Sequence, residues 1–366
     1  MIKDRIFGKT YNLSLTAGYV ISWGIKEAVR EILQNALDSE FPMRWDYHSP
    51  TETLSITNDG TYLEPKTLLL GSSDKTSDKT KRGSFGEGYK LALLVLLREG
   101  KLPRIYNGNF LWKPQFAFDK DFNEEILQIV QEEIASNNTQ LSFVINNISQ
   151  EEWEDIRTIM LDYDSDDIGR VVKTSYGNIL LDKCGELYVG SLFVCKTTLA
   201  YSYDVKPEHI KLERDRQTVD GFELKWLTKE IWLEHNDYDF MARLMEKQTV
   251  DLEYIQYSAP PLLREACYRL FKTMHPESEI AVKSQKELEE YVERGMTKTV
   301  FIGGSSYYSA VTTSKSYLEN SKNFTIPSKP HELLIEWFDK YKKYMRRHAI
   351  VSFKKIIDQS KEWKNK

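Results

Sequence analysis

Apolar residues recur at three- and four-residue steps early in the chain: Ile25, Ala28, Val29, Ile32, Leu33, Ala36 and Leu37. That period predicts an amphipathic helix through 27-EAVREILQNALDSE-40, with Ser22 as its N-cap. On such a helix Glu31, Asn35 and Asp38 fall within roughly 60° of one another, on the side opposite the apolar stripe. A water-facing helix side is the plain reading of that polar group. Residues 53-TLSIT-57 alternate as a strand and end in the turn 58-NDG-60. A polar loop then runs into 83-GSFGEGYK-90 and the apolar helix 91-LALLVLL-97. Further on, Ser149 and Glu152 form a capping-box pattern that starts a helix over 150–161. Residues 187-LYVGSLFVCK-196 read as two strands around a Gly-Ser turn. Residues 284–295 read as a capped helix, and 298-KTVFIGG-304 as a strand entering a glycine turn.

Composition narrows the function classes. The chain has 366 residues, 41% hydrophobic and 29% charged, with a net charge of -5, which suits two or three globular domains. That mild acidity does not indicate nucleic acid or an anionic membrane as the main partner. The longest apolar run, 91–97, is too short to span a bilayer, and the N-terminus has no secretory-type apolar stretch. Three cysteines (Cys184, Cys195, Cys267) without CxxC spacing point to a reduced, cytoplasmic setting, with neither a disulfide framework nor a zinc site.

The glycine-rich stretch has a physical logic of its own. Glycines at 83, 86 and 88 before a helix let backbone N–H groups approach an anion, and the helix N-terminus adds a favourable dipole. The spacing is neither Walker A nor a strand-led dinucleotide fingerprint. Taken in order, E-x-x-x-N-x-x-D on a helix, a strand ending at N-D-G, and G-x-F-G-x-G before a helix resemble the GHKL (Bergerat-fold) ATPase superfamily. That superfamily includes DNA gyrase B, the heat-shock chaperone ATPase, MutL and sensor histidine kinases. The stretches 23-WGIKEAVREILQNALDSE-40, 83-GSFGEGYKLAL-93 and 209-HIKLERDRQTV-219 look like stand-alone phage and bacterial ATP-binding proteins of the rIIA-like group.

The resemblance implies ATP and Mg²⁺ as cofactors and a role for each matched residue. Glu31 would be the general base on the attacking water. Asn35 would give an amide oxygen to Mg²⁺, and Asp38 would help hold the nucleotide's water network. Asn58 stands where the family places an adenine-reading aspartate; Asp59 takes the role if the turn shifts by one residue. Gly60 matches the family glycine, whereas Tyr62 replaces its second one. Gly83, Ser84, Phe85, Gly86, Glu87, Gly88 and Tyr89 would form the phosphate lid, with Lys75 among its basic residues. Lys90 reads either as a phosphate contact or as a solvated helix-start lysine. Thr139 matches a threonine in the last nucleotide-contacting strand. Arg214 and Arg216 are candidates for a basic sensor of the γ-phosphate, or for alternating charges on a surface strand.

The expected fold is α/β (α+β). An N-terminal Bergerat-type two-layer sandwich spans 1–150, a transducer-like α/β domain 151–245, and a mixed, helix-rich C-terminal region 246–366. In the last of these, Trp337, Tyr341 and Tyr344 recur at helical spacing within a basic tail. They read as a core-packing face, with contact to nucleic acid or an acidic partner as the other reading. The implied function is a slow ATPase whose lid closure and ATP-dependent homodimerisation switch its grip on a protein partner. Phage–host conflict and nucleic-acid metabolism are the settings the likeness suggests. The alternative is a nucleotide-binding interaction protein with little hydrolysis. A histidine kinase fits poorly, since no histidine lies in residues 1–22.

Overall fold

The computed structural model describes residues 8–69, 88–121, 123–135, 139–163, 165–210, 221–322, 324, 328 and 330–360. The fold is mixed α/β, with antiparallel sheets and a helix-rich C-terminal part. The chain divides into two compact units, Met1–Asp220 and Gly221–Lys366.

The first unit opens with β1 (Lys9–Thr16), α1 (Ile25–Leu37), β2 (Met43–His48), β3 (Thr53–Asp59) and α2 (Gly88–Arg98). It continues with β4 (Leu102–Asn107), β5 (Phe110–Asp119), β6 (Glu124–Glu133) and β7 (Gln140–Asn146). The seven strands form one sheet in the order β1-β6-β5-β4-β7-β3-β2, antiparallel throughout. Alternation decides what each face does. Leu54 and Ile56, Phe143 and Ile145, Ile105, Trp112, Leu127 and Ile129 form one core with the apolar stripe of α1 and nearly all of α2. Fully burying each such side chain contributes about 1.5–3 kcal/mol. The other face is polar: Thr57 meets Ser142 at 2.7 Å, and Gln128 bridges Gln115 and Asn12.

Beyond this sheet, α3 (Gln150–Ile156) begins at the expected capping box. Ser149 Oγ accepts from the Glu152 N–H, and the Glu152 carboxylate accepts from the Ser149 N–H at 2.8 Å. A short 3₁₀ turn (Arg157–Ile159) follows where the sequence predicted further α-helix. The second sheet contains β8 (Val171–Lys173), β9 (Gly177–Leu180), β10 (Glu186–Val189), β11 (Leu192–Lys196) and β12 (Ser202–Val205), ordered β11-β10-β12-β9-β8. The β10–β11 hairpin turns at Gly190–Ser191, as the pattern indicated. Buried Asp204 holds that turn by accepting from the Ser191 N–H (2.7 Å) and from the Tyr163 hydroxyl (2.5 Å).

The second unit contains α4 (Gly221–Leu233), α5 (Tyr238–Glu246) and α6 (Pro261–Met274), then β13 (Ile280–Val282), α7 (Gln285–Glu293) and β14 (Thr299–Phe301). Next come α8 (Ser305–Thr312), α9 (Lys315–Ser321), α10 (Pro330–Tyr341) and α11 (Arg347–Ser360). β13 and β14 pair in parallel, and Ser284 caps α7 as expected. Cys267, Phe271, Tyr307 and Tyr317 lie in its core. The helices α10 and α11 form a hairpin that packs through Phe338 stacked on Phe353. This corrects the expected packing of the tail: Trp337, Tyr341 and Tyr344 stay 47%, 37% and 76% exposed. The physical reason is rotation about α10, which buries Phe338 and leaves Trp337 at the seam's edge, in contact with Phe353 on one side and partly exposed on the other. Among the described residues no helix is long and apolar enough to cross a membrane.

Candidate functional site

Helix α1 starts two residues later than the sequence suggested. Its N-cap is Gly24, not Ser22, and the Glu27 carboxylate accepts from the Gly24 N–H at 2.9 Å. Arg98, at the end of α2, fixes the entry by donating to the carbonyls of Ala17, Tyr19 and Trp23. The apolar stripe is buried as its period requires. The polar side is buried too, contrary to the water-facing reading. Glu31 is 0% exposed, Asp38 is 7% exposed and Asn35 is half-buried. A carboxylate removed from water is costly unless compensated, and the Arg30 guanidinium lies 3.6 Å from Glu31 Oε1. Asn35 Nδ2 donates to the Glu31 carbonyl one turn back (2.9 Å), which turns the amide oxygen away from that carbonyl.

The end of β3 closes the site from the sheet side. Asn58 is 3% exposed and on the helix-facing side, where its Nδ2 donates to the carbonyls of Ala36 (2.9 Å) and Phe41 (3.0 Å), with Pro42 at 3.5 Å. Three acceptors around one amide nitrogen set the orientation of the side chain, so its carbonyl oxygen points elsewhere as an acceptor. Asp59 faces the opposite side of the sheet and is held by Arg44 (3.0 Å) and Gln140 (2.5 Å). Of the two adenine-reading candidates, then, only Asn58 shares a face with α1. Gly60 follows at φ +79°, and a Cβ there would lie 3.0 Å from the Phe41 ring, so the turn needs glycine. Its N–H donates to the Thr139 carbonyl (2.9 Å), joining those two expected site residues through the backbone.

Beside Gly60 and Thr139 lies a cavity of about 490 Å³, between the 60–65 loop and the 107–110 turn, with Trp112 and Gln131 also lining it. Asn107 braces the loop by pairing its amide with both backbone groups of Leu63 at 2.8 Å. Tyr62 is 66% exposed.

At the start of α2, Gly88, Tyr89 and Lys90 are all buried. Burial pushes the Tyr89 hydroxyl far above its ordinary range, with a hydrogen bond to Thr67 opposing. Lys90 is 0% exposed and donates to the carbonyls of Thr67 (2.8 Å) and Leu69 (2.6 Å). This corrects the solvated-lysine reading: the ammonium clips the 67–69 segment onto α2. Lys75, Gly83, Ser84, Phe85, Gly86, Glu87, Arg214 and Arg216 lie outside the described residues.

Three contributors were not singled out in the sequence. Arg30 carried a weak signal, as a cation next to Glu31. Asn107 lies in 107-NGN-109, an ordinary Asn-Gly turn pattern, and Trp112 is one apolar residue among many, so neither carried a site signal. Among the described residues no cluster of three or more His, Cys, Asp or Glu could hold a metal. A cation here would have the Asn35 amide oxygen as a protein ligand and need oxygens from its own ligand, which fits Mg²⁺ bound with a phosphate chain. No protein-family model matches the chain, and no curated protein matches it.

Proposed function

We propose that the first unit is a GHKL-type, Mg²⁺-dependent ATP site that hydrolyses ATP slowly. The observation that carries this reading is the buried polar side of α1, Glu31 to Asp38, tied through Ala36 to the acceptor-presenting Asn58. A solvated helix face would not bury a carboxylate completely. In this reading Asn58 accepts from the adenine amino group, and Gly60 with Thr139 closes the base end. Asn35 offers its amide oxygen to Mg²⁺, which when bound neutralises phosphate charge. Glu31 takes a proton from a water that attacks the γ-phosphorus; the bond to the β-phosphate oxygen breaks and ADP leaves. Lid closure over the nucleotide, dimerisation and capture of a protein partner follow from the same reading, as does a cytoplasmic role in phage–host conflict or nucleic-acid metabolism.

The Arg30–Glu31 contact favours a second reading. A buried carboxylate with a guanidinium 3.6 Å away is favoured in its charged form and is a weaker proton acceptor, which suits a protein that binds ATP and scarcely hydrolyses it. Steady-state phosphate release from Mg-ATP separates the two. Under the first reading, Glu31→Ala lowers the rate about 10²–10⁴-fold while ATP is retained, and magnesium removal abolishes turnover. ATP retained with no phosphate release by the parent protein assigns the second reading, and no ATP retained rejects both.

A further inference from the structure

The α10–α11 hairpin joins its helices through 340-KYKKYMRRH-348, which has five Lys or Arg residues and no acid. Lys340, Lys342, Lys343, Arg346 and Arg347 are all exposed. Among the described residues only Lys342 of these five is ion-paired, with Asp339 at 2.8 Å. The density of positive charge is unusual in a chain of net charge -5. Two tyrosines sit within it. Residues 342–344 form a single 3₁₀ turn between the two helices. Tyr341 caps that turn and Tyr344 ends it, 37% and 76% exposed. The hairpin packs through Phe338 and Trp337 on Phe353, and the Tyr341 ring lies 5.2 Å from that of Trp337 with its outer part exposed, whereas Tyr344 stands furthest out. Lysines already lie near both rings: Lys340 Nζ is 5.4 Å from the Tyr341 centroid, and Lys343 Nζ is 4.9 Å from that of Tyr344.

We propose that this corner of the second unit binds single-stranded nucleic acid, with the five cations on phosphates and Tyr341 and Tyr344 stacking on unpaired bases. Exposed aromatics between cations are the arrangement that grips a strand without reading its sequence, because every base has a π-face and every nucleotide a charge. An acidic peptide would use the cations and leave the rings idle. The inference rests on the second unit alone and stands whether or not the first hydrolyses ATP.

The test is fluorescence anisotropy of the full chain with labelled dT20, rU20 and a 20-base-pair duplex, over about 50–300 mM NaCl. The expected result is binding of either or both single strands, and the two arms show which sugar is preferred. With four to five phosphates neutralised, the slope of log K against log salt is about -3. Arg346→Gln with Arg347→Gln flattens that slope by about 1.4. Tyr344→Ala weakens binding about 5–100-fold at an unchanged slope, whereas Tyr344→Phe binds as the parent does. These side chains are exposed, so circular dichroism should show the variants folded. The proposal is overturned by no binding tighter than about 100 µM at low salt, by full affinity in Tyr344→Ala, or by a duplex held as tightly as dT20. Binding to phosphatidylserine vesicles with neither oligonucleotide bound would overturn it too, and would assign the patch to a lipid surface.

Discussion

Asn58 and Asp59 are neighbours in the chain and face opposite sides of the seven-stranded sheet. Asn58 is tied to the Ala36 carbonyl in the last turn of α1, and Asp59 to Arg44 and Gln140 on the polar face. An aspartate at position 58 would not fit these bonds. Asn58→Asp removes the donor that satisfies the Ala36 and Phe41 carbonyls and sets a carboxylate against them. The expected cost is about 1–3 kcal/mol or more, read as a lower urea midpoint at an unchanged m-value. Asp59→Ala, an exposed ion-pair change, should cost no more than about 1 kcal/mol. Equal losses in the two variants would show that the helix-side bonds of Asn58 do not matter.

Arg30 and Glu31 should behave as a coupled pair. Arg30→Met withdraws the guanidinium from a fully buried carboxylate and is expected to destabilise by about 3–5 kcal/mol. Adding Glu31→Gln to that variant should restore much of the loss, because the remaining side chain is neutral. Thermal unfolding of both single variants and the double closes the cycle. Strict additivity would remove the pairing from the account.

Lys90 tests a structural role against a ligand role. If its ammonium mainly clips the carbonyls of Thr67 and Leu69, Lys90→Met lowers Tm, costing about 1–3 kcal/mol. If it mainly grips phosphate, Tm holds and ATP affinity falls. The burial of Lys90 predicts the first outcome.

His235 gives the second unit a pH dependence. Burial beside Trp232 and Phe240 holds its imidazole below the ordinary value of 6.5, with Asp237 opposing. As pH falls through 6.5 the unfolded chain takes up the proton first. The stability contributed by the neutral ring is therefore complete above that pH and is lost below it. Urea midpoints at about pH 7.5 and 5.5 should differ more in the parent than in His235→Phe. An equal drop in both would place the titration elsewhere.

The sequence by itself determined the local elements whose causes are local. The α1 stripe, the β3 alternation, the Ser149–Glu152 box, the Gly190–Ser191 hairpin and the Ser284 cap depend on periodicity, turn chemistry and bonds spanning a few residues. It also placed Glu31, Asn35 and Asp38 on one side of a helix, because that follows from 3.6 residues per turn. Burial on that side, however, depends on what lies over it, and no pattern along α1 carries that information. Only the tertiary structure decided that Asn58 and not Asp59 faces the helix, since a strand's register and the carbonyls of Ala36 and Phe41 lie outside the N-D-G turn. Lys90 needed the 67–69 segment to become a buried clip, and Asn107 needed Leu63, 44 residues away, to become a brace. In the tail, helical spacing indicated an aromatic stripe. Phe338 and Trp337 both meet Phe353, which settled that Phe338 is buried, Tyr341 packs only at the edge against Trp337, and Tyr344 stays outside.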